Sequence, residues 1–157
     1  RRNAAYLLLA AVDPARNEED TMADQAQAPS PISCYLHPKG GRGGEAAELY
    51  RKAFPAEEVM RQTAEDGRRL MHIHLRINGG SLMMSDEFPE YSQSQVREMG
   101  GFTIHLQVDD PDAWWERAVA AGCEIRMPLE NQFWGDRYGS LRDPFGVDWS
   151  TGGPDKA

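Results

Sequence analysis

Two stretches of the chain alternate between apolar and polar residues, LMHIHLRI at 70–77 and FTIHLQV at 102–108. Side chains along a strand point alternately to opposite faces of a sheet, so each stretch predicts a strand with one apolar face. The apolar sets are Met71, Ile73, Leu75 and Ile77, then Phe102, Ile104, Leu106 and Val108. The opposite faces carry His72, His74 and Arg76, then Thr103, His105 and Gln107. Three of the four histidines therefore lie on the predicted polar faces.

Two helical patterns accompany these strands. The first, EAAELYRKAF at 45–54, ends at Pro55 and puts apolar residues on one face, namely Ala46, Leu49, Tyr50 and Phe54. In the second, at 109–122, Asp110 or Asp112 caps the helix and Gly122 ends it. Shorter extended runs complete the order β-α-β-β-β twice, which implies an internal duplication. The pattern predicts an α+β fold whose helices cover the apolar faces, so that the histidine face meets solvent or lines a cavity.

The segment before residue 32 predicts a tail. Residues 23–31 are rich in Ala, Gln, Pro and Ser and have too little apolar content to fold. We expect a loosely ordered tail over 1–31, one domain over 32–152 and a second tail over 153–157, with Met22 as a candidate for the biological start. The apolar run AAYLLLAAV is about half the length that crosses a bilayer, so we expect no membrane partner.

Charge and cysteine content narrow the function classes. The 157 residues carry a formal net charge of -8, and no Lys/Arg cluster interleaves with aromatic residues, so nucleic acid is not an expected partner. Cys34 and Cys123 are far apart and form no ligand spacing, which is typical of a reduced, cytoplasmic protein. We expect both to be packed thiols.

The His-x-His pair offers candidate chemistry. His72 and His74 lie about 7 Å apart on one strand face, a spacing that lets both reach one ion, with His105 as a third ligand. The alternative is that they line a cavity and bind ligand, water or neighbouring side chains. All three are candidates for acid/base catalysis and for ligand binding, and Gln107 shares their face.

The segment FWGDRYGSLRDPFG at 133–146 is the other concentration of functional residue types. Trp134 and Arg137 are predicted ligand contacts there. In the structural alternative, Arg137 pairs with Asp136, Asp143 fixes a turn, and Trp149 belongs to the core.

The stretches VDDPDAWWERAVAAG and FWGDRYGSLRDPFGVDW, with Tyr50 in the LY pair of the first helix, resemble the vicinal oxygen chelate superfamily, the glyoxalase/bleomycin-resistance fold. The ending FWGDR…DPFG…W is similar to that of its PhnB-like branch. The resemblance runs from residue 32 to about 152. It implies two βαβββ modules that form a curved, cup-shaped mixed sheet with helices on the outer face. It also implies a homodimer and a small-molecule ligand in the concave face.

Metal-dependent members of this superfamily take a ligand, usually His or Glu, from the first and last strand of each module. The resemblance places these positions at about Cys34 or Tyr35, Met83, Thr103 and Ser150. Divalent ions prefer imidazole or carboxylate ligands, which none of these residues supplies. No metal cofactor is therefore expected, and a divalent metal would have to use His72, His74 and His105.

Two functions stay open. The first is a bleomycin-resistance-type protein that binds a small molecule without chemistry. The second is an isomerase, lyase or transferase of the same superfamily that acts on a small oxygenated substrate, with His72, His74 or His105 as acid/base or metal ligand. The residues do not decide whether the protein is an enzyme, and they do not identify the ligand.

Overall fold

The computed structural model describes residues 28–91 and 98–155. The strands are β1 (Cys34–Leu36), β2 (Glu57–Thr63), β3 (Leu70–Ile77), β4 (Gly80–Met84), β5 (Thr103–Gln107), β6 (Glu124–Asn131), β7 (Asp136–Arg142) and β8 (Asp148–Pro154). The helices are α1 (Gly43–Ala53) and α2 (Pro111–Ala120). The predicted elements are present in the predicted order. The candidate start at Met22 lies outside the described residues.

The strands form two four-stranded mixed sheets of the same design, with the orders β1-β4-β3-β2 and β5-β8-β7-β6. In each sheet the first strand runs parallel to the last, and the other pairs are antiparallel. The repeat confirms two βαβββ modules of an α+β fold, curved into a cup with the helices on its outer face. Neither helix in this part of the chain has the length and apolar character needed to cross a bilayer.

The alternation in β3 predicts its buried face, with one exception. Ile73, Leu75 and Ile77 are buried, whereas Met71 is 39% exposed. The register against β2 shifts at this point, because His72 lies opposite Gln62 and the next pair joins Leu70 to Thr63. Met71 therefore forms a bulge, and its side chain leaves the apolar face on which the alternation places it.

The two helices begin differently. Asp110 caps α2 by accepting a hydrogen bond from the Ala113 N–H at 3.2 Å, as the sequence predicts. Helix α1 has no side-chain cap from its own N-terminal residue. The buried carboxylate of Asp86, just after β4, instead accepts hydrogen bonds from the N–H groups of Gly43 and Leu70, each at 2.7 Å. One side chain therefore satisfies a free donor at the helix start and ties that start to β3.

The core joins the two modules. Phe54, at the end of α1, packs against Trp149 of β8 with ring centroids 4.2 Å apart, and Tyr50 of α1 meets the same ring at 5.2 Å. All three side chains are fully buried. A helix of the first module thus covers a strand of the second.

Candidate functional site

The sheet faces opposite the helices carry corresponding rows of side chains, which we call the first-module and second-module open faces. The central row of the first comprises Tyr35, Met83, His74 and Met60. The central row of the second comprises His105, Ser150, Ser140 and Met127. His72 lies beside His74 along β3. The structure therefore places two of the predicted histidines on one open face and the third on the other.

Two neighbours fix His105 on the second-module open face. Its Nδ1 atom lies 2.9 Å from the Ser150 Oγ, and its Nε2 atom lies 3.0 Å from the Gln107 Oε1. An amide oxygen only accepts hydrogen bonds, so in the neutral imidazole Nε2 carries the proton and Nδ1 accepts from the Ser150 hydroxyl. Gln107 and Ser150 thereby set both the orientation and the tautomer of the imidazole.

Aromatic rings continue from His105 toward solvent. The His105 ring stacks on Tyr138 with centroids 6.0 Å apart and planes inclined by 25°. Trp134, which is 51% exposed, meets Tyr138 edge-on at 5.9 Å. Gly152 provides the space, because a Cβ at that position would lie 2.9 Å from the His105 Cε1. His105, Tyr138 and Trp134, which we call the aromatic ledge, form an accessible surface that suits a flat ring.

The first-module open face has its own hydrogen bonds. The Nδ1 atom of His72 lies 2.9 Å from the Tyr35 hydroxyl. Burial lowers the pKa of His72, which favours the neutral imidazole. His74 is only 2% exposed, and its Nε2 atom lies 2.9 Å from the Ser81 Oγ. The two histidines of the His-x-His pair therefore differ in accessibility.

A cavity of about 430 Å³ opens at the end of the first-module open face. Gln62, which lies opposite His72, lines it together with Met71, Phe88 and Tyr91. Its size is within the usual range for small-molecule sites, roughly 300–1,000 Å³. The bulge at Met71 contributes to this cavity by turning a thioether toward it.

Arg137 lies apart from the predicted ligand contacts. It shares the helix-facing side of β7 with Gly139, which approaches α2. Its Nε and Nη2 atoms donate to Asp112 at 2.9 and 2.7 Å, and Nη1 donates to Asn131 at 3.1 Å. The hydrogen bonds that Arg137 donates to the Asp112 carboxylate raise the pKa of Arg137. The ion-pair partner is thus Asp112 and not the adjacent Asp136 of the structural alternative.

Asp143 has the turn-fixing role that the structural alternative gives it. One carboxylate oxygen accepts from the backbone N–H groups of Phe145 and Val147 at 2.8 and 3.0 Å. The other accepts from the Tyr50 hydroxyl at 2.8 Å and from the Trp149 indole at 2.9 Å. The side chain is buried and points into the core, together with Trp149. Both oxygens are therefore committed to the fold.

The positions of the family's usual metal ligands do not fit a hard divalent ion. Tyr35 lies opposite Met83 on the first-module open face, whereas Cys34 lies opposite Leu82 on the helix-facing side. In the second module His105, and not the Thr103 that the resemblance suggests, lies opposite Ser150. The set therefore offers one imidazole and no carboxylate, which is too few donors for a hard divalent ion. Within residues 28–91 and 98–155, no three His, Cys, Asp or Glu side chains are grouped so that they could hold a metal.

Sequence reasoning missed two contacts of the histidines. Tyr138 lies in the FWGDRYGSLRDPFG segment, yet its stacking on His105 depends on the pairing of β7 with β8 and β8 with β5. Ser81 binds His74 across two neighbouring strands. Alternation along YGSLRD and SLMMS places both residues on open faces, but only strand pairing identifies their partners.

Comparison with known proteins places this geometry in a family. The sequence model of the Glyoxalase/Bleomycin resistance protein/Dioxygenase superfamily matches residues 41–151. An uncharacterized protein of Mycobacterium bovis is 45% identical over 114 residues, which are 69% of this chain and 74% of that protein.

Solved structures share the fold. Protein PA1353 from Pseudomonas aeruginosa superposes with a TM-score of 0.60 at 29% identity, over 80% of this chain and 98% of that one. TioX from Micromonospora sp. ML1 superposes with a TM-score of 0.65 at 25% identity, over 80% and 99% of the two chains.

Proposed function

Because the chain belongs to the Glyoxalase/Bleomycin resistance protein/Dioxygenase superfamily, we propose that it binds a small molecule on its open faces without the family's usual metal site. The contacts in this proposal are His105, Gln107 and Trp134 in the second module and His72 and His74 in the first. A ligand contact by Arg137 stays a prediction, and it would require the guanidinium to leave Asp112.

The aromatic ledge is the observation that carries the proposal. Its His105 ring is oriented by the Gln107–His105–Ser150 hydrogen bonds and fits into the space that Gly152 leaves. A ligand that stacks there needs little reordering of side chains, which lowers the entropic cost of binding. We therefore propose a ligand with a planar ring, stacked on Tyr138 or Trp134.

A screen of planar small molecules by thermal shift tests this proposal, because a ligand that binds the folded state raises the melting temperature. Hits are titrated by tryptophan fluorescence. Trp134 is half exposed and can respond to a ligand on the ledge, whereas Trp149 is fully buried. We expect Tyr138→Ala to weaken binding about tenfold, the equivalent of one stacking contact.

Ile125→Ala is the matched control. Ile125 is 47% exposed but lies opposite Leu141, on the helix-facing side of the same sheet. Its replacement should leave the dissociation constant within twofold. Hits that bind equally well to wild type, Tyr138→Ala and Trp134→Leu would place the ligand elsewhere. A panel without any hit would also count against the proposal.

The fixed tautomer of His105 favours a second candidate, an isomerase, lyase or transferase of this superfamily with His105 as general acid/base. NMR spectra of each bound compound over time would detect turnover. In this case His105→Gln should abolish product formation while the dissociation constant changes severalfold at most. If every bound compound is recovered unchanged, the enzyme hypothesis fails.

Metal analysis of the purified protein tests whether it binds a metal cofactor. We expect no stoichiometric Zn, Ni, Mn or Fe in wild type or in His74→Ala. A stoichiometric metal that disappears in His74→Ala would overturn the metal-free proposal and favour a site built from His72, His74 and His105.

We further propose a cytoplasmic homodimer of the PhnB-like branch. The FWGDR…DPFG…W ending supports the branch. Apolar side chains exposed on the edge strands, including Met60 of β2 and Met127 of β6, support a second subunit. The single chain has a mass of 17.6 kDa, and light scattering at micromolar concentration should give twice that mass.

A further inference from the structure

Residues 28–33, which we call the strap, lie against the first-module open face. The Ser30 N–H donates to the Ser81 Oγ at 2.9 Å, and the two hydroxyls lie 3.2 Å apart. Arg76 donates through Nη2 to the Ala28 carbonyl at 3.4 Å. The Ser33 hydroxyl donates to the Ser30 carbonyl at 2.7 Å, which closes a turn within the strap. The strap precedes the residues that match the family model, which begin at 41.

The strap bonds to the same hydroxyl group as a histidine that is buried on the face opposite the helices. The Ser81 hydroxyl that accepts the Ser30 N–H also bonds to the Nε2 atom of His74. His74 is 2% exposed, whereas Ser140, at the corresponding position of the second-module open face, is only half-buried. The strap and the imidazole thus share one hydroxyl.

These contacts recognise main-chain groups of the strap. Ser81 accepts a backbone N–H, and Arg76 donates to a backbone carbonyl two residues earlier. Pro29 and Pro31 have no N–H group, so Ser30 supplies the donor between them. Proline also favours an extended backbone at its own and the preceding position. The first-module open face therefore binds one main-chain N–H and one main-chain carbonyl of an extended segment. Other peptide-like molecules could present the same two groups.

We propose that Arg76 and Ser81, with His74 bonded to the Ser81 hydroxyl, form a binding site for an extended peptide backbone, which the strap occupies intramolecularly and a peptide-like ligand enters when the strap lifts. Because a tethered segment has an effective concentration of the order of millimolar, a ligand in solution competes poorly until the strap is displaced. The site is separate from the aromatic ledge, so the inference stands or falls independently of the planar ligand proposed above.

Diethyl pyrocarbonate labelling, with mass spectrometry that distinguishes His72 from His74, tests the proposal in the full chain. Ser30→Pro removes both donors of residue 30. We expect His74 to label slowly in wild type and at least tenfold faster in Ser30→Pro. The acetylated and amidated peptide AQAPSPIS, which copies residues 26–33, should slow labelling of His74 in Ser30→Pro. The analogue AQAPPPIS, without the donors, should not.

Two further variants make the outcome decisive. Arg76→Gln weakens the carbonyl contact and should also speed His74 labelling. Ser85→Ala, whose hydroxyl contacts His37 and not the strap, should leave the rate within twofold. An unchanged labelling rate in both Ser30→Pro and Arg76→Gln would contradict the claim that the strap protects His74. Faster labelling that AQAPSPIS does not slow would contradict the claim that a peptide binds in its place. Ligand titrations at Trp134 in the same proteins report separately on the ledge.

Discussion

At the scale of single residues, Asp143 combines burial with four hydrogen bonds that reach from the second module to Tyr50 of the first. Removing a buried acceptor leaves each of its donors unsatisfied. We expect Asp143→Ala to lower the free energy of unfolding by about 3 kcal/mol or more. Urea denaturation followed by circular dichroism measures the loss.

Asp148→Ala is the control for Asp143→Ala. Asp148 lies five residues away and pairs with Arg142 at 3.1 Å, with both side chains about a third exposed. An ion pair of this kind contributes about 1 kcal/mol at most. Equal losses of unfolding free energy in the two variants would show that burial and the four hydrogen bonds do not make Asp143 more stabilising than an exposed ion pair.

His72 predicts a pH dependence. Burial lowers its pKa in the folded protein, whereas the unfolded chain keeps a value of about 6.5. Below that pH the unfolded chain binds a proton that the folded chain takes up less readily, so stability falls as pH decreases and is regained above it. An NMR titration of His72 should give a midpoint below 6.5. His72→Gln should lose less stability between pH 7 and 5, and a midpoint at or above 6.5 would contradict this account.

At the scale of elements, the start of α1 depends on a glycine that leaves room for Asp86. A Cβ at Gly43 would lie 2.8 Å from the Asp86 Oδ1, whereas nothing lies within 4 Å of the corresponding point at Gly44. We expect Gly43→Ala to destabilise the protein by about 1–2 kcal/mol, because it displaces the carboxylate that caps the helix. Gly44→Ala should stabilise it by up to about 1 kcal/mol, since alanine favours the helix.

Thermal unfolding of the two alanine variants measures these opposite effects. The adjacent positions share one helix, so a difference in sign isolates the contact with Asp86 from general helix propensity. Melting temperatures that shift in the same direction for both variants would show that Asp86 moves aside at little cost.

Alternation in β3 and β5 predicted which faces pack toward the helices and which carry the histidines, although Met71 and Phe102 of the predicted apolar faces are 39% and 40% exposed. It could not predict features that depend on pairing between distant segments. The Asp86 cap joins residues 43 positions apart, and the bulge at Met71 arises from the register against β2. The partner of Arg137 is 25 positions away on α2. Local pattern therefore identified the candidate faces, while long-range register determined which side chains meet on them.

At the scale of the whole molecule, the modules share one core although each has its own sheet. The Phe54 ring contributes from α1 to the packing around Trp149, so its loss should open a cavity between the modules. We expect Phe54→Ala to lower the free energy of unfolding by about 3–5 kcal/mol. Phe133→Ala, at a position that is 97% exposed, should change it by less than about 0.5 kcal/mol.

Hydrogen exchange shows whether the shared core makes the modules one cooperative unit. If it does, Phe54→Ala speeds exchange of the slowest amides in β3 and in β8 by the same factor, because both exchange through global unfolding. Faster exchange in one sheet alone would mean that the modules unfold separately and that Phe54 and Tyr50 only dock them. Cooperative unfolding would also couple the two open faces, since a ligand that stabilises the aromatic ledge would then protect the His74 face to the same extent.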